Sequence, residues 1–148
     1  MSEGRSLNAT TDAALDDGQL REAVQFALAQ ASKHGASDAE AAASLSQGLA
    51  VNVRKGELET VEHTRDHGLV VSVYFGQRTG SASTSDYSSS AVEETVQAAC
   101  SIATFTEEDA CHGLADPERL AKEPIDLDLY HPWRPTVDQA RDLACLLY

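Results

Sequence analysis

The feature that most limits what this chain can fold into is the stretch from Leu49 to Asp86, LAVNVRKGELETVEHTRDHGLVVSVYFGQRTGSASTSD. Two runs in it, Leu49–Arg54 and Leu69–Phe75, alternate apolar and polar residues. That period of two is the mark of a strand with one buried face. Each run is followed by a glycine turn, Lys55-Gly56 or Gly76-Gln77, and then by a more polar return run, Glu57–Glu62 or Arg78–Ser85. His63–Gly68 reads as a polar connection. The pattern is an antiparallel meander, and a meander needs helices over one face to be stable.

The flanks supply those helices. Residues 1–15 are small and polar and read as a disordered leader. Asp16 lies three residues before Gln19, the spacing of a capping pair. Leu20, Ala23, Val24, Ala27, Leu28 and Ala31 then fall on one helical stripe. Lys33 and His34 suit the negative end of the helix dipole, and Gly35 is a left-handed stop. Asp38–Ser46 is ambiguous. Its alanines favour helix, whereas its alternation favours strand. We assign a strand, because a helix there leaves Leu49–Arg54 without a neighbour on that side; Gln47-Gly48 becomes a hairpin turn. The expected fold class is α+β, with a sheet of four to five antiparallel strands under two helices.

Downstream, a second helix starts at Ser88 or Ser90, the latter with Glu93 at capping-box spacing. Val92, Val96, Ala99, Ile102 and Ala103 form its expected buried stripe. After Phe105 the chain is irregular, with a short helical turn expected around Glu118–Leu120 behind Asp116-Pro117. Pro124, Pro132 and Pro135 favour an extended course. Thr136 and Gln139 form another capping box, followed by the stripe Val137, Ala140, Leu143, Ala144 and Leu147. No stop signal precedes Tyr148, so a truncated third helix and a longer parent protein are expected. The domain reading is a leader at 1–15, an α+β domain at 16–106 and, at 107–148, an extended connection with the start of a helix.

Composition narrows the function. The 148 residues carry a net charge of −13, which repels phosphate backbones and argues against direct nucleic-acid binding. Only 5% of residues are aromatic, so the core should be thin. No window approaches the ~20 apolar residues of a membrane span, and the N-terminus lacks a signal-peptide order. Cys100, Cys111 and Cys145 are widely spaced, which fits reduced thiols and a cytoplasmic location.

Candidate chemistry is sparse. His63 and His67 stand four apart, which aligns two metal ligands on a helix but not in a loop between strands. The Glu that follows the first His of a zincin helix is missing. Cys111, His112 and Asp116 do not fill a tetrahedral site. Ser81, Ser83, Thr84 and Ser85 offer hydroxyls without a nucleophile elbow or an adjacent base. Glu57, Glu59, Glu62 and Asp66 read as a solvated strand edge. The glycines at 56, 68, 76 and 80 are turn chemistry rather than a phosphate loop. No catalytic, cofactor-binding or metal-binding residue is assigned. The small residues of Arg78–Ser85 admit two readings. They let an extended peptide or partner strand approach the backbone, through Arg78, Ser81, Ser83, Thr84 and Ser85, or they let the following helix pack closely.

Four segments carry a resemblance. They are Val53–Glu59 (VRKGELE), Gly80–Asp86 (GSASTSD), Gly113–Asp116 (GLAD) and Asp126–Trp133 (DLDLYHPW). In this order they resemble the N-terminal part of the PmbA/TldE branch of the TldD/PmbA family, with the last segment favouring the PmbA side. The resemblance implies a cytosolic subunit that pairs with a TldD-like partner to form a protease for unfolded or extended peptides. Peptide-antibiotic maturation and antitoxin removal are the roles it implies, and an older family label is modulator of DNA gyrase. It implies zinc in the partner, held by a His-Glu-x-x-x-His helix and a later Cys. None of that motif occurs here, so no catalytic residue carries over. The competing reading is a stand-alone binding domain.

Overall fold

The computed structural model describes residues 17–121, 123, 125–129, 131 and 133–146. The expected leader, Asp16 as a cap, Pro124, Pro132 and Leu147 lie outside the described residues. In chain order the elements are α1 (Asp17–Lys33), β1 (Asp38–Arg54), β2 (Glu57–Phe75), β3 (Arg78–Thr84), α2 (Ser89–Phe105) and α3 (Val137–Cys145). The strands form one antiparallel sheet in the order β1-β2-β3.

The α+β class and the meander are as expected; the strand count is not. Among the described residues three strands replace the expected four to five. Gln47-Gly48 is not a turn, and His63–Gly68 is not a loop: both run through the middle of long strands, paired as Gln47↔Arg65 and Gly48↔Thr64. The reason is side-chain phase. A two-residue turn at Gln47-Gly48 would set Ser46 opposite Leu49 and so put Leu45 and Leu49 on opposite faces. In one continuous strand Ala39, Ala41, Ala43, Leu45, Leu49, Val51 and Val53 share a face, and these are β1's half-buried positions. Asp38–Ser46 is indeed strand, but it extends Leu49–Arg54 rather than lying beside it.

Turn chemistry sets the register. Lys55 and Gly56 both have positive φ, 52° and 80°, as a type I′ hairpin turn requires. A bulge follows at once, because Asn52 pairs with Thr60 while Val53 pairs with Leu58. The skipped residue, Glu59, reverses the phase and brings Leu58 onto the face that carries Val51 and Val61. Gly76 alone is positive (φ 64°) in the β2–β3 turn, the pattern of type II′.

Both helices cover one half of the hairpin. Ala27 and Ala31 of α1 and Val92, Val96, Ala99 and Ala103 of α2 pack on Leu69, Val71 and Val73 of β2. Burying each valine or leucine fully contributes about 1.5–3 kcal/mol. Alanine on α1 and on the paired positions of β1 keeps the layers close. Gly35 (φ 82°) ends α1 with the paired Schellman bonds, Ala36 N–H to Ala31 O and Gly35 N–H to Ser32 O.

Ser88, not Ser90, caps α2, and its hydroxyl accepts from the Ala91 amide. Ile102 was expected in the buried stripe but is half exposed; Thr95 is buried instead. The expected helical turn at Glu118–Leu120 is a hydrogen-bonded turn closed by the Arg119 amide on Asp116 O. The Thr136–Gln139 capping box forms as read, but α3, which lies against β1, has no buried residue. All three cysteines are free. No helix among the described residues is long and apolar enough to cross a membrane.

Candidate functional site

The residues singled out for peptide or partner contact lie along β3 and just after it. Among the described residues β3 pairs with Leu69–Phe75 only, so it is a short edge strand. Gly80, Ala82 and Thr84 stand opposite Val73, Val71 and Leu69 and so face the helices. Ser81 and Ser83 point to the other, open face, with Ser72 and Val70 as cross-strand neighbours.

These side chains do not converge. Arg78, at the turn, makes an ion pair with Glu108 at 3.4 Å. The Ser81 and Ser72 hydroxyls share a hydrogen bond of 2.9 Å. Thr84 Oγ1 accepts from the Asp86 amide at 3.1 Å. Ser85 opens onto a separate cleft. At about 3.4 Å per residue, Arg78 and Ser85 are roughly 24 Å apart. Such a row can offer backbone groups to an extended chain; it is not a nucleophile with its base. Gly80 also serves the closer-packing reading, since an added Cβ would meet Ala99 O at 2.2 Å and Ala103 N at 2.5 Å.

The Ser85 cleft was not found by sequence reasoning. It is open, has a volume of about 870 Å³, and lies between α1, β2 and the β3–α2 connection. Gln19, Glu22, Phe26, His67, Asp86 and Tyr87 line it. Asp86 accepts from both the Ser88 amide, at 2.8 Å, and its hydroxyl, at 3.0 Å. Those two bonds hold its carboxyl below the usual carboxylate range. The Tyr87 ring stacks on His67, with centroids 5.4 Å apart and planes 7° from parallel. Its hydroxyl donates to Ser44 O and accepts from the Gly68 amide at 3.2 Å. Tyr87 therefore ties the α2 approach to the point where the hairpin leaves the helix-covered core. No motif in the sequence marks this role.

The described residues do not fit a zinc ion. His63 and His67 share a face of β2, but four residues along a strand separate them by roughly 13 Å, too far to share one ion. His112 is spent on Asp109 at 3.7 Å, and Asp116 on Arg119 at 3.8 Å. No group of three or more His, Cys, Asp or Glu comes together as a metal site among the described residues.

Residues 39–103 match the family described as PmbA/TldA metallopeptidase domain 1. The chain is 47% identical over 137 residues to a Haemophilus influenzae protein named metalloprotease PmbA homolog, covering 93% of this chain and 30% of that protein. It is 48% identical over 126 residues to metalloprotease PmbA of Escherichia coli O157:H7, covering 84% of this chain and 28% of the relative. It thus spans under a third of the length of either. Two solved structures share the fold. TldE from Thermococcus kodakarensis superposes with a TM-score of 0.58 at 17% identity, over 70% of this chain and 23% of that one. A Bacteroides thetaiotaomicron protein described as a candidate modulator of DNA gyrase gives 0.63 at 24% identity, over 71% and 24%. The chain belongs to the PmbA/TldE family and carries that family's first domain.

Proposed function

We propose that this domain serves a PmbA/TldE-like subunit of a metal-dependent peptidase, as a non-catalytic platform for assembly and for presenting extended peptides. The observation that supports it best is the 47% identity, over nearly the whole chain, to a protein named as a metalloprotease. The free edge of β3, with small residues at Gly80–Ser85, is the geometry such a platform uses: backbone groups pair with an extended chain, and short side chains let it approach. In this reading the hydrolytic zinc belongs to a TldD-like partner, and the setting is the cytoplasm. Peptide maturation and antitoxin degradation are the processes served.

The test is co-purification with a TldD-like subunit, followed by zinc content and cleavage of an unfolded peptide, for the chain alone and for the pair. Zinc and cleavage are expected only with the partner. Ser81→Lys with Ser83→Lys, both on the open face, should reduce cleavage while leaving zinc content unchanged. A chain that does not bind the partner would return the reading to a stand-alone binding domain. Zinc and cleavage in the chain by itself would end the non-catalytic assignment.

A further inference from the structure

The environment of β2 changes abruptly at Gly68. Leu69 is fully buried under the helices, whereas from Glu57 to His67 the strand is exposed throughout. β3 stops pairing at the same place, because its last rung is Leu69↔Thr84. Beyond Gly68, among the described residues, the sheet is therefore a two-stranded ribbon, Leu45–Arg54 against Glu57–His67. A two-stranded hairpin is marginal by itself, so what it packs on sets how firmly it is held. Among the described elements α3 packs on β1 rather than on α1 or α2, and the described residues that join it to α2 from Glu107 to Arg134 are exposed. α3 therefore does not brace the ribbon against the core.

The brace is Tyr87, in the connection between β3 and α2. Ser44 and Gly68 face each other on the rung where the ribbon leaves the core. The Tyr87 hydroxyl donates to Ser44 O and accepts from the Gly68 amide at 3.2 Å, so one side chain holds a backbone group of each strand. Its ring stacks on His67, the first ribbon residue of β2 past that rung, at a centroid distance of 5.4 Å that suits an aromatic pair. Gly68 has no Cβ, which leaves its backbone torsions freer than those of its neighbours. Tyr87 is half-buried and borders the open cleft, so its ring has room to withdraw without disturbing Leu69, Val71 or Val73. We propose that the Ser44–Gly68 rung is a hinge and that Tyr87 is its latch. With the hydroxyl seated, ribbon and core move as one body; with it withdrawn, the ribbon pivots as a unit and keeps its own ladder. Such hinges are a few residues that absorb the torsion between rigid parts. Tyr87 follows Thr84, the last residue of β3, by three positions, so the latch lies at the end of the edge assigned above to peptide contact.

Residual dipolar couplings of the backbone amides in the 148-residue chain test this, because they report how strongly each part orients with the molecule. In the unmutated chain the ribbon and the core should share one alignment. Tyr87→Phe keeps the ring and loses the hydroxyl. Its ribbon should lose alignment relative to the core, while couplings within the ribbon still fit one paired ladder. His67→Ala, at an exposed position, removes the stack alone and should act in the same direction. Ser44→Ala removes only the long 3.4 Å bond from Ser44 Oγ to Gly68 O and should change nothing. A ribbon that orients apart from the core before any substitution would overturn the latch, as would an equal loss of alignment in Ser44→Ala. So would a Tyr87→Phe ribbon that stays aligned with the core, or one whose couplings no longer fit a ladder, since that is local unfolding rather than a pivot. None of these outcomes bears on partner binding or zinc, so the peptidase reading stands or falls separately.

Discussion

At the scale of single residues, two side chains and one glycine hold this domain's layers in place. Gly80 lets α2 rest directly on β3, because any Cβ there would push into backbone atoms of Ala99 and Ala103 rather than into a side chain that can swing aside. Gly80→Ala should therefore destabilise the fold by about 1–3 kcal/mol, the usual range for overpacking, as read by urea unfolding. Tyr87→Phe removes one hydroxyl that serves both Ser44 O and the Gly68 amide. A loss of about 1 kcal/mol is expected, with faster amide exchange at Gly68. Asp86 adds a pH dependence. Its folded carboxyl titrates below its unfolded value, because the charged form accepts two hydrogen bonds from Ser88. The stabilisation is therefore present above the usual carboxylate range and is lost as pH falls through the lowered folded value. Thermal unfolding across the acid range should show it, and Asp86→Asn should flatten that limb. The sequence showed Gly80 among small residues and offered Ser88 as one of two caps, but it could not show that Ala99 and Ala103 would be the atoms overhead.

At the scale of elements, legibility followed local chemistry. Gly35, the Lys55-Gly56 turn and the Thr136–Gln139 box were readable because neighbours along the chain settle each of them. The lengths of β1 and β2 were misread because Gly48 and the polar run His63–Gly68 resemble punctuation. The phase of the apolar residues held the answer: it passes unbroken from Ala39 to Val53 and from Val61 to Phe75. Polar side chains fill the outer part of β2 because no helix of the core covers it, not because the strand ends there. Ile102 has a related cause. Helical spacing alone gives a wide stripe, and the narrow contact of α2 with β3 and β2 selects Val92, Thr95, Val96, Ala99 and Ala103 from it. Burial also separates the thiols. Cys100, on α2, is partly covered, and desolvation pushes its pKa up, whereas Cys111 is exposed. Iodoacetamide at neutral pH should alkylate Cys111 well ahead of Cys100, as mass spectrometry of quenched samples would read.

At the scale of the whole molecule, stability is unevenly spread. Among the described residues every fully buried side chain lies on α1, β2 or α2, within the half of the sheet that the helices cover. The described residues from Glu107 to Arg134 are exposed, and Leu120, Ile125, Leu127, Leu129 and Trp133 each leave roughly half or more of their surface in solvent. Local opening is least costly where few apolar contacts and few backbone bonds must be broken. Arg119 is such a place: its own ion pair with Asp116 is long, at 3.8 Å, and solvent-exposed at both ends, so it adds little. Arg65 is exposed as well, yet it sits in a ladder against Gln47 and can be cut only if the hairpin separates. Brief digestion with trypsin should therefore cleave after Arg119 before Arg65, leaving a resistant piece that holds α1 through α2. N-terminal sequencing of the early fragments would check the order. Cleavage at Arg65 first would mean that the outer hairpin opens more readily than its seventeen-position pairing with β1 implies.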